Sequence, residues 1–412
     1  MSTRRIYPGP LSGAVTPPPS KSQAHRVILA AALAGGKSRL ENVAFSQDIL
    51  ATLGCVRALG ARWERTGEGT LEMTGMGGTF RPGGELPRFD CGESGSTLRF
   101  LIPIALAAAG GGVFTGRGRL MERPQEPYIR LFREKGISWE QEGDALRVRG
   151  RLEAGGYRLP GNVSSQFFTG LLYALPLAEG ESRILPTTPV ESRDYIAMTL
   201  DALAGAGVTV AEPQEDAKYF RITGRMDYRP GDRRVEADWS QAAFWYAANF
   251  LGSDVTIREM NPASTQGDRA VASFYWKLAR PGDVELDVSQ YPDLVPPLAA
   301  MAAVRRGTAR LTNAARLRMK ESDRLSSVTA ALTALGAEVQ EGADSLTIRG
   351  LERLAGGGVV DSCNDHRIAM MTAVAACACQ NPVTLEGAEC VAKSYPEFWD
   401  HFTMLGGRAD VL

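Results

Sequence analysis

Two acids stand among an unusual concentration of cations in this 412-residue chain. Asp293 sits in QYPDLVPP at the start of an apolar helix, and Glu321 sits in ARLRMKESDRL among Arg316, Arg318, Lys320 and Arg324. A carboxylate with apolar neighbours can act as a base that accepts a hydroxyl proton. The plainer reading of Asp293 is an acid favoured by the positive end of a helix dipole. That of ARLRMKESDRL is a solvated helix start of alternating charge. The cations do not stop there. SKSQAHR supplies Lys21, Ser22 and Arg26; GRGRLMERP supplies Arg117, Arg119 and Arg123; NDHR supplies His366 and Arg367; VAKSYPEF supplies Lys393. SSQ offers Ser164, Ser165 and Gln166 as adjacent polar side chains. Alone, Lys393 reads as a surface lysine. Together these groups recur at matching places in a repeat, and they suit ligands with several negative charges, phosphates above all. No GxxxxGK[ST] loop and no convincing GxGxxG after a strand is present, so scattered Arg, Lys and Ser must hold the phosphates.

The elements that must position these residues are repeated. Six times an apolar, small-residue helix leads through a turn into a β-branched strand, with the turns placed at Gly36, Gly111, Gly180, Gly252, Gly307 and Asn381, mostly about 70 residues apart. This is one supersecondary unit used again and again. The six helices start at SKSQAHR, GESGSTLRF, GNVSSQFF, EADWSQAAF, YPDLVPPL and CNDHRIAM, each with Ser, Asn, Asp, Thr or Gly near the first turn to cap free backbone N–H groups. Most units continue into a second helix and two strands. LGARWERTGEGTLEMTG, EKGISWEQEGDALRVRG, GAGVTVAEPQEDAKYFRITG and LGAEVQEGADSLTIRG all read as hairpins. The last unit is truncated, and its missing strands are expected from the N-terminus, around Ile6 and Val15. Six units suggest two domains of three: residues 1–19 with 237–412, and residues 20–236, joined by two crossovers that form a double hinge. A solenoid of stacked repeats is the alternative at the level of fold.

Composition narrows the function. The formal charge of −1 gives no global field toward nucleic acid or membrane. No apolar run approaches the roughly 18 residues of a membrane span. The N-terminus carries no signal-peptide core, so a cytoplasmic protein is expected. Six cysteines without a CxxC pair read as buried thiols, and three histidines without HExxH make a metal site unexpected.

PPSKSQAHR, GESGSTLRF, LMERP, NVSSQF, SRDY, YPDL, RMKESDRL, NDHRIAM and VAKSYPEF run in order along the chain. Together they resemble the 5-enolpyruvylshikimate-3-phosphate synthases, within the enolpyruvyl transferases. The resemblance implies an α/β fold: a two-domain inside-out α/β barrel of six βαβαββ repeats, three per domain, with helices inside and sheets outside. It implies transfer of the enolpyruvyl group of phosphoenolpyruvate to the 5-hydroxyl of shikimate 3-phosphate through a tetrahedral ketal, with loss of phosphate, by a monomer that needs no metal or organic cofactor. Asp293, Glu321 and Lys21 are then the catalytic set. Lys21, Gly95, Arg123, Gln166, Arg324, His366, Arg367 and Lys393 match the phosphoenolpyruvate site. Lys21, Ser22, Arg26, Ser164, Ser165, Gln166, Ser192, Tyr195, Asp293, Arg316 and Lys320 match the shikimate 3-phosphate site. Glyphosate is expected to compete with phosphoenolpyruvate, since Gly95 leaves room.

Three positions depart from the family pattern. Glu93-Ser94-Gly95-Ser96 replaces an Asn-Ala-Gly-Thr stretch, so Glu93 should point away or pair with an arginine. Phe100 replaces a proline, and its bulk could shift the helix carrying Gly95. Arg316 replaces an asparagine and could add a phosphate contact. Two other functions compete. UDP-N-acetylglucosamine enolpyruvyl transferases have asparagine after the lysine where Ser22 stands, and commonly a loop cysteine that GRGRLMERP lacks. A noncatalytic anion-binding repeat module would explain the repeat but not the acids Asp293 and Glu321.

Overall fold

The computed structural model describes residues 2–77, 85–211 and 219–412. The chain forms two compact units, residues 19–236 and residues 1–18 with 237–412. Twelve α-helices are described: α1 (Lys21–Leu33), α2 (Gln47–Ala58), α3 (Gly95–Ala109), α4 (Glu126–Glu134), α5 (Ser165–Ala174), α6 (Arg193–Gly205), α7 (Trp239–Phe250), α8 (Val271–Ala279), α9 (Val295–Ala302), α10 (Arg324–Ala334), α11 (His366–Ala376) and α12 (Phe398–Met404).

The odd-numbered helices form the inside. Every residue of α9 and α11 is buried, and α3 is buried from Thr97 to Leu106. Alanine-rich faces allow this, because small side chains let helices approach closely without voids. Helices α7, α9 and α11 each pack on the other two, and α3 lies along α5. Each helix start must also satisfy its free N–H groups. Ser20, Ser94, Ser164, Asp238 and Asp365 do so with their side chains, at α1, α3, α5, α7 and α11. The start of α9 instead follows a 3₁₀ turn, Pro292–Leu294.

Sheets form the outside. Arg88–Asp90 lies parallel to Gly111–Thr115, with α3 as the crossover; Ala145–Arg149 then Ser138–Glu142 continue it antiparallel. Phe89, Phe114 and Leu146 are buried in this sheet, and the strands of Phe89 and Leu146 alternate buried with more exposed positions. The same order recurs at 284–287, 308–312, 346–349 and 338–341. The N-terminal strand Thr3–Ile6 pairs with Val383–Glu386 and Ala409–Val411, completing the last unit. The second N-terminal strand does something else: Ser12–Val15 runs parallel to Asp254–Ile257 and opens the unit of α7. From α8 the chain passes directly to Val284–Asp287, so that unit shows no hairpin of its own.

Some local expectations are corrected. Asn381 is no turn; it lies in the strand Cys379–Asn381, and α11 ends earlier, at Ala376. Cys363 is exposed, at the tight turn before α11, whereas the other five thiols are buried. The turn expected in GAGVTVAEPQEDAKYFRITG falls on residues 212–218, outside the described residues.

One packing detail fixes part of the site. Pro103 lies inside α3 and has no N–H, which frees the carbonyl of Arg99 one turn earlier. The Tyr128 hydroxyl of α4 sits 3.0 Å from that oxygen and 2.9 Å from the Phe167 carbonyl of α5. A Cβ at Gly170 would lie 2.4 Å from this hydroxyl and 2.5 Å from the Arg99 oxygen. Glycine is therefore required for α3 and α5 to meet at this distance.

Candidate active site

In the unit of residues 19–236, the starts of α3 and α5 assemble the first constellation. Gly95 is the first residue of α3, and a Cβ there would lie 2.9 Å from Arg123 Nη1 and 3.6 Å from Gln166 Oε1. Three residues distant in sequence thus meet. Arg99, one turn along α3, donates to Gln166 Oε1 at 2.8 Å and to the Pro124 carbonyl at 3.0 Å, while Gln166 Nε2 donates to Ser96 Oγ at 3.0 Å. These bonds hold the carboxamide beside Arg123. Lys21, at the start of α1, pairs at 2.7 Å with Asp48 in the first turn of α2. The Glu93 carboxylate lies against Gly118, close enough that a Cβ there would be 2.9 Å away.

Arg26 anchors a second group in this unit. It is buried, and its nitrogens donate to Thr199 Oγ1 (2.9 Å), the Ser22 carbonyl (2.6 Å) and the Tyr195 carbonyl (2.7 Å). Burial, unrelieved by any carboxylate, lowers its pKa to about 10. Its guanidinium also lies 5.4 Å from the centre of the Phe100 ring and 5.9 Å from that of Tyr195. Phe100 is enclosed between Arg26 and His25, and α3 runs unbroken through it. Ser164 caps α5, Ser165 is its first residue, and buried Ser192 precedes α6 with φ of 55°. Ser22, Arg26 and Tyr195 are therefore brought together at the starts of α1 and α6.

The unit of residues 1–18 and 237–412 carries the acids. Arg324, the first residue of α10, has an exposure of 1%. Its guanidinium donates to Asp365 (2.9 Å), Asp293 (2.9 Å) and Glu321 (2.6 Å). Arg367 reaches the other Asp293 oxygen at 3.0 Å. Burial alone would raise the Asp293 pKa, but Arg367, Lys320 and Arg324 outweigh it and hold the carboxyl far below the usual range. Burial, aided by Arg324 and Arg316 against the pull of Asp293 and Glu321, lowers Lys320 to about 8. Lys393 Nζ donates to the Asn364 carbonyl at 2.7 Å, just before α11, whose first residues are buried His366 and Arg367. Arg316 is tied to the Ser289 carbonyl.

Five residues that position the others escaped the sequence: Asp48, Arg99, Tyr128, Thr199 and Asp365. Asp365 had a visible signal, as the cap residue of NDHR. The rest look like ordinary helix residues, and only packing reveals their partners. Among the described residues no His/Cys/Asp/Glu group has the arrangement of a metal site, and no helix is long and apolar enough to cross a membrane.

Residues 7–402 match the family model described as EPSP synthase (3-phosphoshikimate 1-carboxyvinyltransferase). The chain belongs to the EPSP synthase family. It is 41% identical to the 3-phosphoshikimate 1-carboxyvinyltransferase of Clostridioides difficile, over 100% of this chain and 99% of the relative. With that of Clostridium kluyveri it shares 43% identity, covering 98% and 97%. The EPSP synthase structure from Acinetobacter baumannii superposes with a TM-score of 0.82 at 26% identity, covering both chains fully. The enolpyruvyl transferase NikO from Streptomyces tendae shares the fold, with a TM-score of 0.75 at 17% identity, covering 100% of this chain and 98% of that one.

Proposed function

We propose that this enzyme transfers the enolpyruvyl group of phosphoenolpyruvate to the 5-hydroxyl of shikimate 3-phosphate. The observation that carries the assignment of roles is the ring of groups around Arg324: Asp293, Glu321 and Asp365 on one buried guanidinium, with Arg367 and Lys320 alongside. Protonating the phosphoenolpyruvate methylene carbon and removing the hydroxyl proton needs two groups, assigned to Glu321 and Asp293. Lys21 serves near the hydroxyl and the phosphate. Gly95, Arg123, Gln166, Arg324, His366, Arg367 and Lys393 grip phosphoenolpyruvate. Ser22, Arg26, Ser164, Ser165, Ser192, Tyr195, Arg316 and Lys320 take shikimate 3-phosphate.

The charge balance suggests how the base is switched on. With two guanidinium partners Asp293 is a poor base. An incoming phosphoenolpyruvate carboxylate or phosphate competes for Arg324 and Arg367, and the loss of those partners raises the basicity of Asp293. The base thus strengthens when phosphoenolpyruvate is bound. Bound Arg26 has little freedom to reorient, so its role is to shape the shikimate 3-phosphate site through Ser22 and Tyr195. The enzyme is further proposed to act as a cytoplasmic monomer and to bind glyphosate in competition with phosphoenolpyruvate beside Gly95.

A coupled assay tests the reading. Phosphate should be released only when phosphoenolpyruvate and shikimate 3-phosphate are both added, and UDP-N-acetylglucosamine should not replace the latter. In single-turnover trapping, Asp293→Ala and Glu321→Gln should each slow ketal formation or decay by at least about 100-fold, in line with general acid–base contributions. Unchanged ketal kinetics in both variants would remove these roles.

A further inference from the structure

Within electrostatic reach of Asp293 and Arg367 lies an acid with no role in the reaction as described. Asp268 belongs to a 3₁₀ turn, Gly267–Ala270, leading into α8, and its exposure is 3%. This turn packs on α7, as does the turn that carries Asp293. The Ser240 hydroxyl, in the first turn of α7, donates to Asp268 Oδ2. The charged groups that act on Asp268 come from three elements: Asp238 from the cap of α7, Asp293 from the turn before α9, and Arg367 from α11.

A buried carboxyl in such company cannot be indifferent to its charge. If it is ionised, its negative charge competes for Arg367 and repels Asp293. If it is neutral, that competition is absent and Arg367 keeps its pairing with Asp293. Burial, reinforced by Asp293 and opposed by Ser240 and Arg367, raises its pKa to about 7, so both states fall within the working range.

We propose that Asp268, held by Ser240, is a positioning residue for this reaction, its charge setting how strongly Arg367 attracts the anionic donor substrate. This rests on the assignment of Arg367 to phosphoenolpyruvate. Below neutrality Asp268 is neutral and does not compete with Asp293 for Arg367. Above neutrality Asp268 is charged, Arg367 is partly neutralised, and phosphoenolpyruvate binds less well.

The test is the pH profile of KM for phosphoenolpyruvate between pH 6 and 8, with shikimate 3-phosphate saturating, for wild type, Asp268→Asn and Ser240→Ala. The substrate's own titration is common to all three, so ratios between profiles isolate the protein. The wild-type KM is expected to rise about three- to tenfold relative to Asp268→Asn across this window. In Ser240→Ala the lost hydrogen bond raises the Asp268 pKa, so the same rise should move to higher pH. If Asp268→Asn does not fold, the Ser240→Ala displacement alone decides. Parallel profiles in turnover-competent enzymes would overturn the positioning role and leave the reaction intact. Absence of phosphate release at every pH would instead overturn the reaction, and this proposal with it.

Discussion

Two buried arginines, one in each unit, are stabilised in opposite ways. Arg26 is surrounded by hydroxyls and carbonyls, and burial lowers its pKa to about 10. Arg324 faces three carboxylates, and although burial opposes it, Asp365, Glu321 and Asp293 raise its pKa above the ordinary value. A guanidinium held by neutral dipoles is a fixed post; one held by carboxylates belongs to an exchangeable network, in which a new anion can take the place of an old one. On the proposed assignment the first arrangement would shape the shikimate 3-phosphate site, and the second would let the phosphoenolpyruvate site respond to its ligand.

The largest expected effect breaks this contrast directly. Arg324→Ala takes a shared cation from Asp365, Glu321 and Asp293, of which Asp293 keeps Arg367, and should cost about 3–5 kcal/mol in denaturant unfolding. Arg26→Ala leaves only neutral acceptors unmet and should cost about 1–3 kcal/mol. Equal losses in the two variants would mean the partners do not differ as described. A smaller effect is expected at Gly95. In Gly95→Ala the new methyl meets the tip of the flexible Arg123 side chain at 2.9 Å, not backbone. The thermal midpoint should stay within about 2 °C, while KM for phosphoenolpyruvate rises several-fold, roughly 1 kcal/mol of lost binding. A large fall in the midpoint would show that Gly95 supports the fold and not the ligand.

A further effect sharpens the charged network through pH. Lys320 is lowered to about 8 from the ordinary 10.5, burial being the main cause. Its charge is therefore lost as the pH rises through 8, and KM for shikimate 3-phosphate should climb up to about tenfold per pH unit beyond that. Stability moves the other way. Between 8 and 10.5 the unfolded chain binds more protons at this residue, so its contribution to folding improves with pH. Lys320→Met should abolish the rise in KM; a rise that persists would place the titration elsewhere.

Much of this was legible in the chain. The repeat of apolar helix and strand, the capping residues at five of the six inner helix starts, and the contribution of Ile6 to the last sheet all follow from local pattern, because capping and periodicity are short-range physics. Failures came where a tertiary partner decided the outcome. Val15 is apolar like Ile6, yet its strand pairs with Asp254–Ile257 in another unit, and strand polarity alone cannot choose between edges. Phe100 looked disruptive, but Arg26 and His25 enclose its ring.

The order and types of the residues determined that this chain would repeat one α/β unit, bury its small-residue helices and carry clustered cations and two acids at or near their starts. Those are consequences of spacing, side-chain size and charge. Only the tertiary structure decided that Gly95, Arg123 and Gln166 would meet, that Arg324 would be shared among three acids, and that Asp268 would come within electrostatic reach of Asp293 and Arg367. Each of these depends on contacts between helices far apart in sequence, where close packing and the cost of burying an unpaired charge choose the partner.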